Sequence, residues 1–273
     1  MLRTRAFSIA LLLAALLLGA CQPIQAPATE APAEVAAAPP VKTVLIIGNG
    51  LLDGTCCIDQ YFAALTNSAT PAKEVTAKQM VVYDATLQTH YRYMPTFAPL
   101  EVKRGGHDVV VLQEDLPSYS EKTVEIFKEI VPLFDADIRA AGGRTVLFMG
   151  PDYPGAAPWD WVTQEEIAAA HRVVSAELGI PVAPVGLAMQ RATAERPDLP
   201  VMGGGSETMT MVGADSMLPS PAGAYLSAAV LYATIFGEDP SGLPYRPEEL
   251  SEADAAFLQR IAWETLQAWE SEQ

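Results

Sequence analysis

The sequence predicts a three-layer α/β/α sandwich around a parallel five-stranded sheet. Short apolar segments typical of buried strands alternate along the chain with longer segments in which apolar residues recur at helical spacing. One strand segment, DVVVL at residues 108–112, is apolar on both faces, as a central strand of a parallel sheet must be. Strands that alternate with helices form a sheet covered on both faces, which gives this architecture.

The predicted elements follow in chain order. The strands are Thr43–Ile47, Gln79–Tyr83, Asp108–Leu112, Thr145–Met149 and Pro181–Val185, and helices begin near residues 60, 120, 163, 221 and 251. Thr163 and Glu166 form a capping box, Gly179 ends that helix, and Ser220 is expected to cap a later one. Pro132 is expected to kink or split the helix that starts near residue 120, because proline lacks the N–H and crowds the preceding turn.

Residues 1–20 are predicted to be a secretory leader outside the fold. Arg3 and Arg5 precede an apolar run, and small residues directly precede Cys21. This pattern resembles the lipobox of bacterial lipoproteins, in which the cysteine is lipidated; an ordinary signal peptide with an incidental Cys21 is the alternative. We therefore expect export by the general route and anchoring to the cell membrane surface through acyl chains.

The segment after the leader is expected to be a tether. Residues 21–40 are rich in alanine and proline and have no periodic apolar face, which is typical of an extended linker. A single domain is expected at residues 41–273, a length sufficient for a well-buried core.

Charge and motifs exclude several functional classes. Without the leader's two arginines the chain has 15 basic and 33 acidic residues, a net charge of −18. Such a chain is not expected to bind nucleic acid or to adhere electrostatically to anionic lipid. No GxGxxG or GxxxxGK[ST] motif and no zinc-ligand spacing is present, so no cofactor or metal is expected. Cys56 and Cys57 are adjacent, and thiols are favoured over a strained vicinal disulfide.

Functional residues are expected where the strands end, because ligands of parallel α/β sheets bind at that edge. Five acids, Asp53, Asp84, Glu114, Asp115 and Asp215, could converge there to act on a glycoside or hold a hard cation, but we interpret most as solvated loop acids or helix caps. A later loop carries Tyr153, Trp159 and Trp161. These aromatic residues could stack on a sugar, or they could close the core beneath the loop.

Four segments, taken in order, resemble blocks of the SGNH/GDSL hydrolase superfamily. VLIIGNG at 44–50 is similar to the block in which a strand ends in Gly-Asn-Ser, and YDATLQTHY at 83–91 to the second block. HDVVVLQEDLPSY at 107–119 resembles the third strand and its loop, and ADSMLPSPAG at 214–223 resembles the Asp-x-x-His-Pro block. The resemblance implies a flavodoxin-like SGNH hydrolase fold over residues 43–245 and a site built from Asn49, Gly50, Asp84, Gln113 and Asp215.

The departures from this pattern affect the chemistry directly. Gly50 aligns with the nucleophilic serine and Leu218 with the histidine, while Asp215 fits the acid and Gln113 a side chain that helps to hold an oxyanion. Asp84 stands where the superfamily usually has glycine. A serine mechanism requires a hydroxyl and an oriented base, so neither Gly50 nor Leu218 can take these roles.

The three histidines are not expected to replace the base. His90, His107 and His171 are interpreted as surface or helix-face residues.

Two functions remain. We favour a protein that binds a small molecule, a glycan or an acyl ester, without the serine mechanism, through residues including Asn49, Glu114 and Gln113. The alternative is an active esterase or acyl hydrolase with a non-standard catalytic set such as a cysteine or carboxylates.

Overall fold

The computed structural model describes residues 40–53, 58–114, 122–152, 162–203 and 218–272. The described part contains a parallel sheet of β1 (Thr43–Gly48), β2 (Thr76–Val81), β3 (Val109–Glu114), β4 (Arg144–Met149) and β5 (Val182–Ala183). The strand order is β2-β1-β3-β4-β5. This is the flavodoxin-like order, in which the connection reverses direction between β1 and β3. The predicted fold class is confirmed.

Helices cover both faces of the sheet. The described helices are α1 (Ile58–Asn67), α2 (Ala98–Arg104), α3 (Lys122–Ala140), α4 (Gln164–Leu178), α5 (Val185–Glu195), α6 (Pro221–Phe236) and α7 (Glu252–Ser271). Apolar residues of α1, α5, α6 and α7 form one core with alternate strand residues such as Ile46 and Val111. Residues of α2, α3 and α4 form the other core with the intervening positions, such as Ile47 and Leu112. No helix among those described is both long and apolar enough to cross a membrane.

Several element boundaries differ from the prediction. β2 begins three residues earlier than expected. Its start is set by pairing with β1, in which Thr76 is the partner of Thr43, and not by where its apolar residues begin. β3 continues through Gln113 and Glu114, which were expected in a loop, since both pair with β4. Helix α3 runs unbroken through Pro132, so proline does not split it, and the kink that was the other expectation stays a prediction. Helices α2 and α5 were not predicted, because their short sequences lack a clear periodic signal.

The predicted helix ends are confirmed. Thr163 and Glu166 form the reciprocal capping box at the start of α4, and Gly179 ends that helix in the left-handed conformation at φ 64°. Ser220 caps α6 by accepting the Gly223 N–H at 3.2 Å. Local side-chain chemistry therefore fixes these boundaries before tertiary contacts are considered.

His171 on α4 couples the stability of the fold to pH. Its side chain is fully buried against Phe127, and burial lowers its pKa from 6.5 to about 4. As pH falls below 6.5, His171 binds a proton in the unfolded chain, whereas in the folded protein it stays neutral until about pH 4. Acidification across this range therefore favours the unfolded state and lowers the free energy of unfolding.

Replacing His171→Leu should reduce the loss in unfolding free energy between about pH 7.5 and 4.5 by on the order of 2 kcal/mol. Chemical denaturation at both pH values tests this, and an unchanged pH dependence would contradict it.

Candidate functional site

The described candidate residues lie at the carboxyl edge of the sheet, around the ends of β1 and β3. Parallel α/β sheets bind ligands at this edge, where the strand order reverses. The described candidates are Asn49, Gly50, Asp53, Asp84, Gln113, Glu114 and Leu218. Cys21, Cys56, Cys57, Asp115, Tyr153, Trp159, Trp161 and Asp215, together with the predicted leader and tether, lie outside the described residues.

The turn after β1 is a single 3₁₀ turn, Gly50–Leu52, capped by Asn49. The Asn49 side-chain oxygen Oδ1 accepts the Leu51 N–H at 3.1 Å. The Asn49 backbone N–H donates to Gln113 Oε1 at 2.8 Å, which attaches the turn to the end of β3. Both side chains are buried, with 2% of Asn49 and none of Gln113 exposed. The turn is therefore held rigidly at the junction between two strands.

Gly48 permits this junction. A β-carbon at position 48 would lie 2.2 Å from Gln113 Oε1 and 2.9 Å from Gln113 Cβ, distances that real atoms do not tolerate. The Gln113 side chain occupies the space that a β-carbon at position 48 would need. This close approach explains the first glycine of the Gly-Asn-Gly sequence without invoking catalysis.

Two amide groups at this junction have donors without a partner among the described residues. A backbone N–H can only donate, so the oxygens of Asn49 and Gln113 must be the atoms that accept the two bonds above. Asn49 Nδ2 and Gln113 Nε2 are then fixed as the remaining atoms, and both are buried and unpartnered. A buried donor without an acceptor costs about 1–3 kcal/mol, so a ligand or an ordered water is expected to satisfy them.

Gly50 and Leu218 are neighbours in the fold. A β-carbon on Gly50 would lie 3.6 Å from Leu218 Cδ2 and 2.9 Å from Tyr83 Cδ1. The two positions that the sequence resemblance aligns with nucleophile and base therefore face each other. Apolar groups of Tyr83 and Leu218 lie around the place where a side chain at position 50 would begin.

The acids at this edge have separate structural roles. Asp53 accepts from Tyr83 Oη and from Gln79 Nε2, each at 2.9 Å. Glu114, which is 2% exposed, accepts the Leu87 N–H at 2.9 Å. Asp84 is exposed and has φ 57°, a left-handed conformation that suits the glycine usual there in the superfamily. Across the described ranges no group of three or more His, Cys, Asp or Glu residues could hold a metal ion.

His90 was expected on a surface or a helix face, but it is completely buried beside the turn. Its Nε2 lies 2.9 Å from the Gly48 carbonyl oxygen, and its ring stacks on Phe97 with centroids 6.1 Å apart. Since a carbonyl only accepts, Nε2 carries the proton, and burial lowers the pKa of the ring. His90 therefore holds the end of β1 in place. His107 precedes β3, and its Nε2 lies 3.6 Å from Glu101 Oε1.

Sequence reasoning missed two residues at this site. Tyr83 lies against Gly50, the position that the resemblance aligns with the nucleophile, and His90 supports the end of β1. The position of Tyr83, at the end of the predicted second strand and two residues after β2, could have placed it at the same edge as Gly50. The burial of His90 depends on the irregular turn Thr89–Tyr93, a π-helical segment that no sequence pattern indicated.

Comparisons with solved structures agree with the fold. The chain is similar to a DUF4886 family protein from Bacteroides uniformis, with a TM-score of 0.65 and 16% identity over 83% of this chain and 95% of that one. It is also similar to a putative SGNH hydrolase from Slackia heliotrinireducens, with a TM-score of 0.55 and 20% identity over 71% and 99%. An acetylxylan esterase from Geobacillus stearothermophilus, solved as a catalytic mutant, gives a TM-score of 0.53 and 11% identity over 71% and 94%.

These similarities confirm the SGNH/GDSL resemblance at the level of the fold. No protein-family model and no curated protein sequence matches the chain. Sequence identities of 20% or less show a shared architecture, and function has to be argued from the residues of the site.

Proposed function

Starting from the SGNH hydrolase fold, we propose that this chain is a lipid-anchored extracytoplasmic protein that binds an acyl ester or an acetylated glycan without the serine mechanism. One observation carries the proposal. Gly50 and Leu218 face each other at the site, and buried amide donors of Asn49 and Gln113 lie at the adjoining strand ends. The site thus has hydrogen-bond donors but lacks a nucleophile and a base at the two aligned positions.

The chemistry of these groups favours a carbonyl compound. Unpartnered N–H donors match a carbonyl oxygen, which only accepts. Leu218 and the ring of Tyr83, which both lie beside Gly50, provide apolar surface that suits a short alkyl group such as the methyl of an acetyl ester. Without an activated hydroxyl, binding of the carbonyl is not followed by acyl transfer.

A direct assay tests the loss of the mechanism. We expect the purified protein to show no turnover of p-nitrophenyl acetate or acetylated xylooligosaccharides above the uncatalysed rate. A fluorophosphonate, which labels activated serines, should leave the protein unmodified in mass spectrometry. Turnover above the uncatalysed rate, or a labelled serine, would contradict the proposal. Turnover that thiol blocking abolishes would indicate a cysteine nucleophile, and turnover that persists would indicate another catalytic set.

Ligand binding should depend on the two amide groups. Gln113→Glu and Asn49→Asp each keep the oxygen that accepts a backbone N–H and replace only the unpartnered NH₂ group. We expect each change to weaken binding of acetylated xylooligosaccharides or short acyl esters by about tenfold or more, because the carbonyl then meets a second acceptor. Titration calorimetry with this panel measures the effect.

Gln267→Glu is the matched control for the added charge, because Gln267 lies on the exposed surface of α7. It should leave affinity unchanged. If no member of the panel binds the unaltered protein, or if the control weakens binding as much as Gln113→Glu does, the assignment of this site is wrong.

The proposed lipid anchor rests on the sequence before the domain. The basic residues, the apolar run and the small residues before Cys21 together support lipidation at that cysteine. Cys21→Ser should abolish incorporation of an alkyne fatty acid and move the protein from the membrane fraction to the soluble fraction of producing cells. Unchanged labelling and fractionation would leave an ordinary signal peptide as the better interpretation.

A further inference from the structure

We propose that Asn49 is a site of spontaneous deamidation, which the folded turn suppresses and which removes a buried amide donor when the turn opens. Asn49 is followed by Gly50, whose nitrogen reaches the preceding side-chain amide most easily because glycine has no β-carbon in the way. The modification itself does not depend on the proposed function. Only its effect on ligand affinity does, so failure of one is distinguishable from failure of the other.

The reaction takes place within the Asn49–Gly50 sequence and needs only water as a second reactant. The Gly50 nitrogen forms a bond to Asn49 Cγ, the bond from Cγ to Nδ2 breaks, and the proton of the Gly50 N–H leaves with the amine as ammonia. Water then opens the resulting succinimide ring at either carbonyl, which gives aspartate or isoaspartate. One water molecule is consumed, one ammonia molecule is released, and nothing is oxidised or reduced.

Two features of the Asn49 side chain favour this reaction. Its Nδ2 is the leaving group, and this atom has no hydrogen-bond partner among the described residues. Its Oδ1, on which negative charge develops, accepts the Leu51 N–H at 3.1 Å, and a donor at such an oxygen stabilises the charge. Asn67, the only other asparagine of the chain, has its Nδ2 bonded to the Val75 carbonyl oxygen at 2.8 Å and is followed by serine.

The folded turn holds the reacting groups in other bonds. The Leu52 N–H donates to the Asn49 carbonyl oxygen at 3.0 Å, which fixes the peptide unit that contains the Gly50 nitrogen. The Asn49 N–H donates to Gln113 Oε1 at 2.8 Å, so the backbone is held on both sides of Asn49. Asn49 is only 2% exposed, and burial excludes the water or hydroxide that takes the Gly50 proton. Deamidation therefore requires the turn to open.

Either product alters the turn permanently. Aspartate keeps an oxygen for the Leu51 N–H but replaces the Nδ2 donor with a charged acceptor, as in the variant Asn49→Asp. Isoaspartate adds an atom to the backbone, so the bonds to Leu51 and to Gln113 lose the spacing that lets both form. Each molecule whose turn has opened for long enough thus carries a chemical mark at the site.

Peptide mass spectrometry after incubation at mildly alkaline pH tests the site. Asn49 should deamidate at least about tenfold faster in denaturing urea than in the folded protein, because only the open turn reacts. In urea it should also react faster than Asn67 in the same sample. Gly50→Ala should slow the reaction in urea severalfold, because the new β-carbon obstructs the attacking nitrogen.

Gln113→Met tests whether the bond to β3 holds the turn closed in the folded protein. It removes the acceptor of the Asn49 N–H, so deamidation at Asn49 should rise severalfold without urea while Asn67 stays unchanged. Gln267→Met is the matched control, because Gln267 lies on the exposed surface of α7, and it should change neither rate.

Each part of the proposal has a result that overturns it. Deamidation of Asn49 that is no faster in urea than in the folded protein overturns the protection by the turn. A rate in urea no greater than that of Asn67, or one that Gly50→Ala leaves unchanged, overturns the assignment of the reacting pair. A Gln113→Met variant that raises neither rate, or both asparagines equally, overturns the role of that bond, as does an equal rise with Gln267→Met.

Discussion

Installing a serine and a histidine at the two aligned positions should give this protein an esterase activity. The variant combines Gly50→Ser and Leu218→His with Tyr83→Ala, because a β-carbon at position 50 would lie 2.9 Å from the Tyr83 ring. It also includes Asp84→Gly, which removes a carboxylate that would oppose a developing oxyanion and whose φ of 57° suits glycine. We expect hydrolysis of p-nitrophenyl acetate at least about tenfold above the unaltered protein, because the nucleophile and base act only together.

Two controls make this result specific. The same variant without Gly50→Ser lacks the hydroxyl and should show no gain. Adding Asp215→Asn should remove most of the gain, because a triad acid orients the histidine. A folded four-site variant without activity would show that Gly50 and Leu218 are not the positions of nucleophile and base, and activity that survives Asp215→Asn would exclude that residue as the acid.

Gly223→Ala should strongly destabilise the protein. Alanine in place of glycine within a helix normally stabilises by about 1 kcal/mol. In α6, however, the new β-carbon would lie 1.9 Å from the Val201 carbonyl oxygen, which accepts the Ser220 N–H at 3.0 Å. Neither backbone can yield easily, so we expect a loss of about 2–4 kcal/mol in unfolding free energy, measured by chemical denaturation.

Gly50→Ala is the matched comparison for this effect. Its β-carbon also meets an atom at 2.9 Å, but that atom belongs to the half-exposed side chain of Tyr83 and not to the backbone. We expect a loss below about 1 kcal/mol there, as for surface substitutions. If Gly223→Ala were no worse than Gly50→Ala, the close approach of α6 to Val201 would be wrong.

The site was only partly predictable from its sequence. The strand ends placed Asn49 and Gly50 correctly, because a short apolar strand that ends in glycine is a local signal. Gln113 and Glu114 were assigned to a loop, because their polarity hid the fact that they pair with β4. The burial of a polar residue in a strand depends on its partners, and those partners lie far away in the chain.

Local chemistry in the sequence determined the architecture and many of its boundaries. Apolar periodicity predicted the doubly covered parallel sheet, and side-chain caps such as Thr163 and Ser220 fixed helix starts, since both depend on neighbouring residues. The resemblance also aligned Gly50 and Leu218 with the nucleophile and base positions of the superfamily. Only the tertiary structure showed that these two residues are neighbours and that the Tyr83 ring lies against Gly50. Such contacts join residues more than 30 and more than 160 positions apart, and only the fold decides which distant side chains occupy the same volume.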